Sequence, residues 1–362
     1  MIMFKRLDRY ILRHFFLSLF VVVMALGFTI IVINMVEELR DFIDHRVPFM
    51  QIVEYYVFFA GWVIKSFFPL FVMLATLFSV SILARRNELL AMKASGRSLY
   101  RIALPLLITG LLLSAGHFYY NEYIFPPANQ RRLEIKKFTI EKRSREVYAK
   151  VSRVIRQISP GNFYTMNSFN TIRNDGVDFK MYTTRGNQLT SITTAKKIVY
   201  EDFQWKAIEG IQRVFDTPGS KQFTEFDTLV IPEIEDKPSD MAKRIGKPED
   251  MSLDELKYYI DLMKRTGGPY IQEQINLKLK YSYPLTSAIV MLICIPFAAN
   301  PRRGGVAVSF ATGAVIALVY FVLFRIMQSA GYNEKIPQEL AVWGVNGLFF
   351  IIGLFFMLKA RK

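Results

Sequence analysis

The chain has 362 residues, of which 52% are hydrophobic and only 21% charged, and its mean hydropathy is +0.21. Soluble domains carry roughly 25% charged residues, with the apolar ones spread out; here they are blocked, which excludes a disordered, collagenous or coiled-coil chain. Lys and Arg exceed Asp and Glu by 46 − 31 = +15, and the single cysteine, Cys294, lies in an apolar run, so neither an intrachain disulfide framework nor a cysteine-based zinc site exists.

A membrane-crossing helix needs about 20 mostly apolar residues. Six segments qualify: roughly 15–36, 56–83, 102–121, 279–299, 306–328 and 339–358. The first is too long for the apolar part of a signal peptide, and Asn34-Met35-Val36-Glu37-Glu38 is a poor cleavage site. The polar segments sort by charge. Those holding Lys5, Arg6, Arg9 and Arg13, then Arg85, Arg86, Lys93, Arg97 and Arg101, then Arg302 and Arg303, then Lys359, Arg361 and Lys362 carry 14 bases against Asp8 and Glu88. Basic short loops stay cytoplasmic, so both termini are expected inside, as an even number of spans requires. That placement of charge argues for a membrane rather than nucleic acid as the partner.

The expected organisation is therefore residues 1–121 with three spans, an external domain over 122–278, and residues 279–362 with three more spans. A stretch as long as 122–278 is a folded domain rather than a loop. From about Val147 to Ile231 the apolar pattern has a period near two. It is punctuated by Pro160-Gly161-Asn162, Asn174-Asp175-Gly176, Arg185-Gly186-Asn187 and Thr217-Pro218-Gly219. The pattern predicts an antiparallel sheet of six to eight strands, a β-sandwich or jelly roll. Residues 129–146 read as a helical extension of the third span. Residues 232–250, with Pro232, Pro238 and Pro248, read as a linker. Ser252-Leu253-Asp254-Glu255 is a capping box opening a short helix.

Enzymatic signatures are missing. No phosphate-binding G-x-x-x-x-G-K-[ST], H-E-x-x-H or G-x-S-x-G sequence occurs. His14, His45 and His117 are far apart along the chain, so a shared metal site is not expected, and neither is a bound cofactor. The residues alone describe a non-enzymatic membrane protein with an external β domain: a transporter subunit, a receptor or an assembly factor.

Three places are more specific. Between the second and third spans, residues 85–98 are too regular for a turn; Leu89, Leu90 and Met92 offer apolar contacts, Glu88 is the one acid among five bases, and Gly96 ends the helix. This segment reads either as a surface helix on anionic headgroups or as a helix that docks a cytoplasmic protein. The N-terminal segment Phe4–Arg13 is a basic, amphipathic lead-in to the first span, and Asn300-Pro301-Arg302-Arg303-Gly304-Gly305 is a tight basic turn.

Taken together these resemble the LptF/LptG permease family of the lipopolysaccharide transport system. The resemblance rests on Leu7-Asp8-Arg9-Tyr10, Phe68-Pro69-Leu70, Arg86-x-Glu88-Leu89-x-x-Met92-x-Ala94-Ser95-Gly96, Lys280-x-x-x-Pro284-Leu285 and Pro301-Arg302-Arg303-Gly304, in that order on a three-plus-three layout. It implies a permease subunit in the bacterial inner membrane, closer to the LptG branch at its start. Such a subunit pairs with a second six-span permease above a dimer of a cytoplasmic ABC ATPase (LptB-like), which alone would use ATP and magnesium. Lipopolysaccharide would be extracted from the periplasmic leaflet and passed to a periplasmic bridge protein with a jelly roll (LptC/LptA-like). Glu88 would then reach into the ATPase, with Arg86, Leu89, Met92, Ser95 and Gly96 shaping the coupling helix.

Arg40, Lys65 and Arg325 are the candidate lipopolysaccharide contacts, because Arg pairs bidentately with phosphate and Lys acts as a point charge. Lys65 sits about 13 Å inside the second span at 1.5 Å per residue, where a charge is costly and usually faces a cavity. Snorkelling to the interface is the competing explanation for Lys65 and Arg325, and salt bridges to Arg85 or Lys93 the competing one for Glu88. Relatives often place Lys near the outer end of the first span, whereas this chain has Asn34, Glu37, Glu38 and Asp41 around Arg40. Those acids repel phosphate unless they are paired or bridged. The small residues Gly304, Gly305, Ala311, Gly313, Ala314 and Ala317 give the fifth span a face for close helix packing, on a partner subunit or within this one.

Overall fold

In the computed structural model of the chain, residues 6–144, 149–159, 161–185, 188–217, 220–241, 247–265, 268–299 and 305–360 are described. The basic turn at 300–304 and the turn residues Pro160, Gly186, Asn187, Pro218 and Gly219 lie outside them.

Six helices are long and apolar enough to cross a membrane. The first span is the helix Arg6–Asp44 and the second Phe49–Arg85. The third runs through Leu99–Ile140, an α-helix interrupted by wider π-helical turns at Tyr120–Ile124 and Ile135–Ile140. The fourth, fifth and sixth are Ile271–Ala298, Gly305–Tyr332 and Gln338–Lys359. At 1.5 Å per residue the 39-residue first span is about 58 Å long. It therefore projects well beyond about 30 Å of hydrocarbon.

The chain divides into two compact units: residues 1–133, 248–256 and 271–362 form the first, and residues 134–247 and 257–270 the second. In the first unit the second span is the hub, with 72% of its most apolar window buried, and the fourth follows with 61%. For the first span the figure is 6%, so most of that helix is exposed or only half-buried in this chain.

Several polar groups inside the spans pair with one another. Pro69 has no N–H, which frees the carbonyl of Lys65 four residues earlier. His117 Nε2 on the third span lies 3.2 Å from that oxygen and donates to it, and Tyr283 OH donates to the next carbonyl, Ser66, at 2.6 Å. Unpaired backbone groups are expensive where water is excluded, so these two side chains make the proline tolerable. In the second half of the bundle Asn346 Oδ1 accepts from Tyr320 OH at 2.8 Å, while its amide donates to Ser282 O at 2.9 Å. Thr286 completes this buried junction of spans four, five and six, 2.8 Å from Tyr320 OH.

Gly313 settles where its part of the small-residue face packs. A Cβ there would come within 1.9 Å of Leu77 Cδ1, so the glycine admits the second span of the same subunit.

The second unit holds six antiparallel strands in the order β1 (Lys150–Ser159), β2 (Asn162–Asn170), β3 (Asp175–Arg185), β4 (Gln188–Glu201), β5 (Gln204–Thr217) and β6 (Ser220–Val230). Each strand pairs with its sequence neighbour, so the antiparallel sheet predicted from the alternation is connected as a meander. Of the predicted turns, Gly161 lies between β1 and β2 and Asn174 between β2 and β3, with Asp175 and Gly176 already in β3, whereas Gly186, Asn187, Pro218 and Gly219 lie outside the described residues. Between β4 and β5, Asp202-Phe203 has both residues at positive φ, 53° and 61°, the geometry of a two-residue type I′ hairpin.

The sheet also folds over on itself. β2 and β5 are three strand spacings apart, about 14 Å in a flat sheet at 4.7–4.9 Å each. Yet the rings of Phe169 on β2 and Trp205 on β5 have centroids 5.7 Å apart. The inner face thus closes around one cluster containing Val154, Tyr164, Phe179, Ile198 and Ala207, the enclosed core expected of a sandwich-like fold.

The segment after β6 is a strap rather than a free linker. Ile231 and Ile234 join that core, Tyr164 OH donates to Asp236 Oδ2 at 2.7 Å, and Trp205 Nε1 donates to Asp236 O at 2.8 Å. Arg156 reaches Asp240 O at 2.8 Å. The capping box forms as predicted: Glu255 N donates to Ser252 Oγ at 3.3 Å and Ser252 N to Glu255 Oε2 at 3.0 Å, opening the helix Leu253–Arg265.

Candidate functional site

Two places in the first unit gather the sequence-derived candidates. One is the short helix Glu88–Ala94. It is set off sharply from the second span because Asn87 adopts a left-handed conformation (φ 58°), and Gly96 closes it in another (φ 81°). Arg97 N bonds Met92 O at 3.3 Å and Gly96 N bonds Lys93 O at 2.9 Å, a left-handed terminus that glycine adopts without a Cβ penalty. Ser95 Oγ donates to Met92 O at 2.7 Å and tightens the same end. Leu89, 3% exposed, anchors the helix inward, and Met92 is half-buried. Leu90, Ala91, Ala94, Ser95 and Gly96 are exposed, so the helix offers a face of small and apolar groups with Glu88 at its start.

Glu88 is held from the first span. Tyr10 OH donates to its Oε2 at 2.7 Å, and Arg86 Nη1 lies 4.0 Å from its Oε1. Two residues before Tyr10, the buried Asp8 accepts from Arg101 Nη2 at 2.7 Å, tying the start of the first span to the start of the third. The Leu7-Asp8-Arg9-Tyr10 segment therefore braces the short helix from two sides. Sequence inspection found the segment and missed this role, because the partners lie 78 and 93 positions away.

The other place is a charged cluster between spans two, three and four. Lys65 Nζ is 2.5 Å from Asp250 Oδ1 and 4.4 Å from the centre of the Phe125 ring. Lys280 Nζ is 3.3 Å from Glu122 Oε2, whose other oxygen accepts from Leu253 N at 2.5 Å. All four charged side chains are largely buried, at 22, 15, 12 and 8% exposed for Lys65, Asp250, Lys280 and Glu122. Two cations and two anions compensate one another, as buried charges require. Lys65 and Lys280 stood out in sequence; Glu122 and Asp250 did not.

Arg325 stands apart from that cluster. Its Nη1 donates to Gln328 Oε1 at 2.9 Å, and it lines a cavity of about 650 Å³ with Leu26, Leu70, Leu74, Leu318 and Phe321. The cavity is bounded by spans one, two and five, and Arg325 is the charged residue lining it. Arg40 is exposed at the far end of the first span, 3.4 Å from Asp44. The three candidate lipid contacts thus occupy three different settings: a paired cluster, an apolar cavity and an open surface. Among the described residues no three His, Cys, Asp or Glu side chains gather as metal ligands.

Three spans, an inserted antiparallel β domain and three further spans, with an exposed short helix between spans two and three, define a multi-span membrane protein. The family described as lipopolysaccharide export system permease LptF/LptG matches residues 9–359, and the chain belongs to it. Similar proteins include the lipopolysaccharide export system permease protein LptG of Escherichia coli K12, 22% identical over 98% of this chain and 99% of the relative. The LptG protein of Haemophilus influenzae is also 22% identical, over 99% of this chain and 100% of the relative.

Proposed function

We propose that this chain is the permease half of an ABC-type exporter that lifts lipopolysaccharide from the periplasmic leaflet of the inner membrane toward a periplasmic bridge. The cytoplasmic work is done by a separate ATPase dimer, and the first span faces a second permease of the same family. The observation that carries the reading is the exposed Glu88–Ala94 helix, joined directly to the hub span and braced at Glu88 by Tyr10. Such a helix can take a push from a partner and deliver it to spans one and two together.

In this reading the basic ends of the spans lie in the cytoplasm, and the β domain, with its enclosed apolar core, receives acyl chains on the periplasmic side. Arg325 supplies a phosphate contact in the wall of the apolar cavity, and Lys65 a second one in the charged cluster apart from it. Exposed Arg40 offers a third, once Asp44 yields it.

The test is Glu88→Ala in the complex purified in mild detergent. Association with the ATPase should fall at least tenfold while the permease stays folded, and lipid extraction should stop. Normal recovery of the ATPase with normal export would end the coupling claim. Purification of a folded chain with no ATPase at all would favour a receptor or an assembly factor.

A further inference from the structure

The charged cluster pairs its lysines with acids that come from different parts of the chain. Glu122 is on the third span, whereas Asp250 ends the short turn Pro248–Asp250 and Leu253 opens the helix Leu253–Arg265. Residues 250–253 are therefore held at two points: Asp250 by Lys65, and the Leu253 N–H by Glu122. Glu122 in turn is held by Lys280. Neither lysine is an idle cation waiting for a ligand, because each already has a carboxylate.

We propose that Asp250 and Glu122 are positioning residues that fasten residues 250–253 to the spans, and that a phosphate-bearing lipid exchanges with the Asp250 carboxylate on Lys65. This rests on the reading of Lys65 as a phosphate contact. The exchange keeps Lys65 compensated throughout, so no bare charge is left in a buried site. A phosphate and a carboxylate cannot share one ammonium in so closed a place without repelling each other, so Asp250 leaves toward water as the phosphate arrives. Because Leu253 is only three residues further on, that departure loosens its bond to Glu122. Arrival of the lipid is thereby transmitted to residues 250–253.

Hydrogen exchange at residues 248–256 of the full-length protein in phosphatidylcholine nanodiscs reads the fastening directly. Asp250→Asn should speed exchange there about tenfold, and the double swap Lys65→Asp with Asp250→Lys should slow it again. Unchanged exchange in Asp250→Asn, or no recovery in the swap, would overturn the fastening. Added lipopolysaccharide should speed exchange about tenfold in the unsubstituted protein, and the same lipid stripped of its phosphates should not. If exchange does not respond while lipopolysaccharide still photo-crosslinks to the second span beside Lys65, the exchange of partners is wrong and the Lys65 contact stands. If both responses are absent, the Lys65 contact itself is wrong.

Discussion

Single side chains do distinct jobs in the two units. Asp8 is 2% exposed and is bound to Arg101 across the basic end of the bundle. Asp8→Ala removes the acceptor of a charge-assisted hydrogen bond and should cost about 1.5–3 kcal/mol of stability, read as a lowered thermal midpoint in detergent. Tyr164 shows a pH effect of definite sign. Its phenol is buried and donates to Asp236, and burial first, then the Asp236 charge, hold its pKa above the ordinary value of 10.0. The folded state keeps that proton where the unfolded state gives it up, so its contribution is complete below pH about 10 and is lost as pH rises further. Exchange at β2 should accelerate above pH about 10, and Tyr164→Phe should flatten that rise; an identical slope in the variant would show that other groups set it.

Helices and strands were largely legible from sequence, for local reasons. A span is a run of neighbours, and a strand an alternation of neighbours, so both periods are visible in short windows. The capping box needed only four residues and appears with both of its hydrogen bonds. What escaped was set by partners far along the chain. The Pro-rich 232–250 stretch reads as a linker because nothing local announces that Asp236 will meet Tyr164 and Trp205, 72 and 31 positions away. Asp250 likewise gave no sign of Lys65, 185 positions away. The Asp202-Phe203 hairpin was visible only through the strands beside it, since it lacks the glycine that usually marks such a turn. The packing of helices is testable at Gly313. Gly313→Ala drives a methyl into buried Leu77 and should destabilise the bundle by about 1–3 kcal/mol. Combined with Leu77→Ala, the loss in the same thermal melt should be smaller than the sum of the two single losses; an additive loss would mean the two helices are not in contact there.

At the scale of the molecule, charge placement and span count make one prediction together. Cys294 is the single cysteine and is buried, so Cys294→Ser provides a background for labelling. In intact cells with a permeabilised outer membrane, an impermeant maleimide should label Asp202→Cys on the hairpin of the sheet and leave Lys93→Cys on the short helix unlabelled. The reverse pattern would invert the topology. The uncovered first span makes a second prediction: cysteines at Phe20 or Phe28, which are 65 and 67% exposed, should crosslink to another permease subunit in the assembled complex.

The way the first span is held has a mechanical consequence. Its buried residues are Asp8, Ile11 and Phe15 at one end and Phe42 at the other, with only Val22 and Gly27 between. Between these, the half-buried Leu19, Val23, Leu26, Ile30 and Asn34 continue one face along the helix. The helix is thus fastened along a narrow seam rather than embedded, and most of its circumference stays open. Separating such a seam exposes little apolar surface compared with extracting a helix buried all round.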